Sequence, residues 1–135
     1  MEVPLSDLYC KILVQHKSKM ILEVNGLDCY CCNGSDRRHV ICKIKDTPHY
    51  QFLEGNRDIY QNYLEKGGRL VGYGLEHSVP NYDKLIKTFD LEKIKRFPCH
   101  EDGGKYILQD GVHRCSIILF NSLLETVPIS LKKRR

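Results

Sequence analysis

The residues with the clearest chemical potential lie together near the C-terminus, at Asp110-Gly111-Val112-His113-Arg114. They follow one apolar run, Tyr106-Ile107-Leu108, and precede another, Ile117-Ile118. That pattern predicts a strand that turns at Asp-Gly and passes straight into a helix. The first turn of a helix leaves backbone N–H groups without partners, and the aligned peptide dipoles add partial positive charge there. A glycine at the turn lets an anion approach the backbone closely. Together these features make a phosphate-binding corner. Arg114 can add a forked, permanently charged donor, and His113 can donate a hydrogen bond or move a proton near neutral pH. Asp110, beside bound phosphates, can help to hold magnesium. The same residues also make an ordinary turn with a solvated helical start, and so short a pattern has many chance matches.

The elements expected to position this corner can be read from the surrounding pattern. Residues 94–99 and 105–109 read as strands joined across Glu101-Asp102-Gly103-Gly104. A helix is predicted over 82–89, capped by Asn81 after the Val79-Pro80 break, with Leu85, Ile86 and Phe89 toward the core. Helical character over 113–123 follows the corner, and Val127, Ile129 and Leu131 alternate as a last strand. A further strand is expected over 69–73.

The first half has a different rhythm. Short β-branched or apolar runs occupy 11–15, 19–24, 28–32 and 38–45, and Asn25-Gly26 and Asn33-Gly34 are hairpin signals. They predict an antiparallel meander with Val40, Cys42 and Ile44 on one side. Thr47-Pro48 then reads as the start of a long helix over 49–66, ended by Gly67-Gly68. Along it Leu53, Tyr60 and Leu64 share one side, with Phe52, Ile59 and Tyr63 beside them. Tyr50, Tyr60 and Tyr63 can stack on bases or sugars, but their helical spacing favours a core or partner face.

The wider pattern around the corner resembles the ParB/sulfiredoxin superfamily. In that superfamily an apolar strand ends in Asp-Gly-x-His-Arg and a helix follows, as in 105–117 here. The upstream helix and strand, and a final strand beginning Val127-Pro128-Ile129, also match, so the resemblance covers about residues 70–131. It implies an α+β fold with a small mixed sheet and helices, and the residue pattern places an antiparallel β-meander and a long helix before that unit, where residues 1–68 have no counterpart in the superfamily. The chain is expected to form a single domain, with 1–68 as an N-terminal elaboration, 69–131 as the core and 132–135 as a basic tail.

The motif is nearest to that of free serine kinases, which carry Asp-Gly-His-His-Arg and use a glutamate upstream of the first helix as base. Glu76, in Leu75-Glu76-His77-Ser78, occupies the comparable place, and Val112 replaces the first histidine of the corner. The resemblance thus implies ATP or another nucleotide with Mg2+, and phosphotransfer to a small hydroxyl compound such as a free amino acid. Gly111, His113, Arg114 and Ser116 would contact the nucleotide, Asp110 the metal, and Glu76 and His113 would be catalytic. Sulfiredoxins place a reactive cysteine where Val112 stands, so their thiol chemistry is not expected. The alternative is a non-catalytic nucleotide-sensing or DNA-associated module, or a nuclease. ParB proteins carry a helix-turn-helix domain after this unit, for which little chain follows the last predicted strand.

Composition sets outer limits. The chain has 135 residues, 41% hydrophobic and 28% charged, which suits a globular domain. No apolar stretch is long enough for a membrane span and no secretory signal is evident, so a cytoplasmic protein is expected. The formal charge of +4 is matched by Lys132-Lys133-Arg134-Arg135 alone, so nucleic acid has weak support as a partner. Seven cysteines, an odd number, argue against a disulfide framework. Cys29, Cys31, Cys32, His39 and Cys42 invite a zinc reading, but Cys-x-Cys-Cys is not a zinc-knuckle spacing. His100-Glu101-Asp102 reads as a solvated turn.

Overall fold

The alternating apolar residues at the two ends of the chain meet in one mixed sheet. The computed structural model describes residues 1–15, 29–31, 37–66 and 78–132. Among them are strands β1 (Glu2–Pro4), β2 (Leu8–Gln15), β3 (Cys29–Cys31), β4 (Arg37–Lys43), β5 (Phe97–Asp102), β6 (Lys105–Leu108) and β7 (Thr126–Leu131). Their order is β1-β7-β5-β6-β2-β4-β3. The pairs β2–β6 and β5–β7 are parallel and the others antiparallel. The helices α1 (Pro48–Leu53), α2 (Arg57–Lys66), α3 (Val79–Thr88) and α4 (Val112–Phe120) complete an α+β architecture. No helix among the described residues is long and apolar enough to cross a membrane.

The first residues are built into the same sheet as the last. Val3 pairs with Val127 in β7, and Leu8, Tyr9 and Cys10 run parallel to Tyr106, Ile107 and Leu108 in β6. Cys10 faces Cys42 across β4, and Leu108 faces Cys99 across β5. This row of buried side chains crosses four strands, and Cys115 of α4 is buried in the same cluster. The thiols behave as small core hydrophobes. β4 pairs with both β2 and β3, so it lies between them and β3 is the outer strand of the described sheet. The expected strands over 19–24 and 69–73, and the Gly67-Gly68 stop, lie outside the described residues.

Four local readings are corrected. The long helix is two. Thr47 caps α1 as expected, its hydroxyl accepting from the Tyr50 N–H at 3.1 Å, but Gly55 adopts φ +103° and ends the first segment before α2 begins. That left-handed conformation is open to glycine at little cost, so the chain can turn there. The cap of α3 is Ser78, not Asn81: its hydroxyl accepts from the Asn81 N–H at 3.2 Å. Pro80 sits inside the first turn, where no intrahelical N–H is needed. The strand expected over 94–99 is displaced to Phe97–Asp102, and only Gly103-Gly104 turn into β6. The helix after the corner begins at Val112, one residue early, and stops at Phe120, with Ser122 at φ +52° in the turn that follows.

Between helices and sheet the core is rich in groups that resist ionisation. Burial pushes the Cys42 thiol up to about 12 and the Cys99 thiol up to about 11. Cys10 and Cys115 are raised by burial first and then by neighbouring thiols. Burial likewise raises the phenols of Tyr60 and Tyr82. Unfolding returns thiols to an ordinary value of 9.0 and phenols to 10.0, so above those values the unfolded chain holds fewer protons than the fold. The stabilisation is therefore complete below about pH 9 and is lost as pH rises toward about 12. Urea unfolding should show a lower midpoint at about pH 10.5 than at about pH 8, and equal midpoints would contradict this account.

Candidate functional site

The corner at residues 110–114 begins with a close approach. Gly111 takes φ +98° and ψ 16°, leaving β6 and entering α4. A Cβ at this position would lie 2.5 Å from Cδ1 and 2.8 Å from Cε1 of Phe97, a buried side chain of β5. Glycine is thus required twice, for its left-handed backbone and for the missing side chain. The Gly111 N–H donates to Oδ1 of Asp110 at 2.8 Å, so this amide is engaged within the turn. The first intrahelical bond runs from the Cys115 N–H to the Gly111 carbonyl at 2.9 Å. Among the described residues no side chain caps α4, which leaves its first turn to other acceptors.

The two basic residues of the motif point to different surroundings. His113 is half-buried, and its Nε2 lies 2.8 Å from the Tyr60 hydroxyl of α2. Its ring stands edge-on to His49 of α1 at 4.4 Å and to Tyr82 of α3 at 4.8 Å between centroids. The Tyr82 hydroxyl donates to the His49 carbonyl at 2.9 Å, and its ring stacks on Phe52 at 4.6 Å. Arg114 is exposed, as expected one step around the helix from a half-buried neighbour.

A cleft opens on either side of this wall. One, of about 220 Å3, is bounded by Tyr60, Tyr82, Ser78 and Asn81 together with Asp110, Gly111, His113 and Arg114. The other, of about 340 Å3, shares Asp110, Gly111 and Arg114 and is closed by the segment Lys93-Ile94-Lys95-Arg96 ahead of β5. Asp110 is exposed at the mouth of both.

The structure therefore gathers Asp110, Gly111, His113 and Arg114 at one place. Ser116 is not with them. It is fully buried one turn further along α4, beside the Tyr82 hydroxyl but outside hydrogen-bond geometry, and lines neither of the two clefts. Glu76, the expected base, lies outside the described residues, as does His77. Among the described residues no group of three or more His, Cys, Asp or Glu side chains could hold a metal ion by itself. His49 and Tyr82 are site residues that sequence reasoning did not assign, and Tyr60 was considered for stacking on bases or sugars but read as part of a core or partner face. The Tyr60–His113 contact joins positions 53 residues apart, and only the buried-face spacing of Tyr60 hinted at its neighbourhood. No family model, curated protein or solved structure matches the chain.

The Tyr60 hydroxyl stands where it can set the tautomer of His113. The phenol is protonated at neutral pH, and burial raises it further from its ordinary value of 10.0. When that O–H donates to Nε2, the imidazole carries its own proton on Nδ1. Tyr60→Phe should remove this bias and move the 15N shifts of His113 toward the other tautomer, at a stability cost of about 0.5–1.5 kcal/mol. An unchanged tautomer would exclude the phenol as its determinant. Gly111→Ala should be harsher, costing about 2 kcal/mol or more because strain and the Phe97 clash combine. Gly55→Ala, with open space around the added carbon, should lose only the backbone part, about 1–2 kcal/mol, in parallel urea melts.

Proposed function

We propose that the chain is a nucleotide-binding protein of ParB/sulfiredoxin-like fold that transfers a phosphoryl group from ATP to a small hydroxyl compound. The observation that carries this reading is the uncapped start of α4 at Gly111, with a cleft on each side and His113 and Arg114 in the dividing wall. The Asp-Gly-x-His-Arg motif and the order of helix, hairpin, helix and strand from α3 to β7 support the same fold assignment.

In this reading the first turn of α4 and Arg114 hold the nucleotide phosphates, and the rings of Tyr60 and Tyr82 form the apolar wall of the nucleotide cleft. Asp110 suits a magnesium ion bound mainly through phosphates, since such ions need only one or two protein carboxylates, and its second oxygen is not used by Gly111. The ion would offset charge on the phosphate oxygens. The acceptor oxygen attacks the γ-phosphorus, forming an O–P bond as the bond from that phosphorus to the β–γ bridging oxygen breaks. ADP leaves with that oxygen. The hydroxyl proton passes to a carboxylate base, for which Glu76 is the candidate. His113, oriented by Tyr60, donates toward the phosphoryl oxygens.

Calorimetric titration with ATP, ADP and CTP in the presence of Mg2+ tests the reading. Binding should weaken roughly tenfold to a hundredfold in Arg114→Ala, as expected for a lost charged hydrogen bond. Glu76→Ala should retain binding and lose ADP formation. Binding without turnover in the intact protein would favour a sensing module over a kinase, and no binding of any nucleotide would overturn the assignment.

A further inference from the structure

The second cleft shares only Asp110, Gly111 and Arg114 with the proposed nucleotide site. Lys93, Lys95 and Arg96 line it together with Arg114 and the shared wall at Asp110-Gly111. The segment that carries the three cations is set by local structure. Asp90 accepts from the Glu92 N–H at 3.0 Å and caps a short 3-10 turn, Leu91–Lys93, from which the chain runs extended into β5. All four cations are exposed. Among the described residues Asp110 is the single carboxylate in the lining, and one of its oxygens already accepts from Gly111.

A cleft bordered by one sign of charge concentrates the field of its groups and attracts a counter-charge. With Arg114 and Asp110 set aside for the nucleotide phosphates and magnesium, Lys93, Lys95 and Arg96 still place three positive charges around about 340 Å3. That balance suits a dianion. A zwitterionic amino acid brings no net charge and would place its ammonium among lysines and arginines. The cleft also touches the wall at Gly111, so a hydroxyl on the same small molecule lies within reach of a phosphoryl group held at the start of α4.

Resting on the phosphotransfer reading, we propose that the acceptor is itself a phosphate monoester carrying a free hydroxyl, and that Lys93, Lys95 and Arg96 bind its phosphate. The test follows backbone amides by 15N NMR during titration with glycerol 3-phosphate, L-serine and glycerol, with and without ADP–Mg2+. Glycerol 3-phosphate should shift amides of residues 93–98 and 111–114, while serine and glycerol should not. The triple substitution Lys93→Ala, Lys95→Ala and Arg96→Ala, at exposed positions, should weaken glycerol 3-phosphate at least tenfold and leave ADP affinity unchanged. Equal binding by the triple variant, stronger shifts with serine, or tighter binding of a single-stranded oligonucleotide at the same residues would each overturn the proposal. Loss of ADP affinity in the triple variant would also overturn it, by making the cleft part of the nucleotide site. Failure of ADP to bind the intact protein would instead remove the kinase reading, and the titration without nucleotide would still report on the cleft.

Discussion

The geometry of the candidate site depends on how closely α4 begins against β5. Only a residue without a side chain fits beside Phe97 at position 111, and only glycine adopts its φ of +98° without strain. Phe97 is itself fixed, buried and in register with Ile129 of β7. The helix start is therefore held against the middle of the sheet and cannot drift outward. From that anchor the helix period sends His113 inward, to the aromatic side chains of three other helices, and leaves Arg114 at the rim shared by two clefts.

The surroundings of His113 come from both halves of the chain. β1 and β2 pair with β7 and β6, which ties the first residues to the strands flanking the corner. α1 and α2 then supply His49 and Tyr60, and α3 supplies Tyr82. An imidazole enclosed in this way has few orientations open to it. Holding a functional ring by packing and a hydrogen bond reduces the entropy lost when a ligand engages it.

Local signals were legible where they are purely local. The Thr47 cap, the Asp-Gly corner and the alternation of Val127 and Ile129 all depend on residues within a few positions of one another. The displaced β5 shows the limit of such signals. Ile94 is apolar but out of phase with Phe97 and Cys99, so the period-two pattern, and with it the pairing to β7, starts only at Phe97. Gly55 was visible, but whether a glycine is tolerated inside a helix or ends it depends on where the next segment must pack. Here α2 turns back so that Tyr60, Tyr63 and Leu64 enter the same core as Phe52. Pairing between His113 and Tyr60 was illegible for a stronger reason: nothing in either neighbourhood encodes a contact between α2 and α4.

Net charge hid a feature in the same way. The basic tail alone equals the total of +4, so the body sums to nothing and gives no hint of a charged surface. A sum, however, says nothing about spacing. The capped turn at Asp90 and the entry to β5 bring Lys93, Lys95 and Arg96 into one cleft lining with Arg114, where among the described residues Asp110 is the one carboxylate. At the roughly 10 Å range over which salt leaves charges visible to one another, an incoming ligand senses this local excess and not the neutral total. The fold, by bringing residue 114 beside residues 93–96, makes an electrostatic site out of a sequence whose composition shows none.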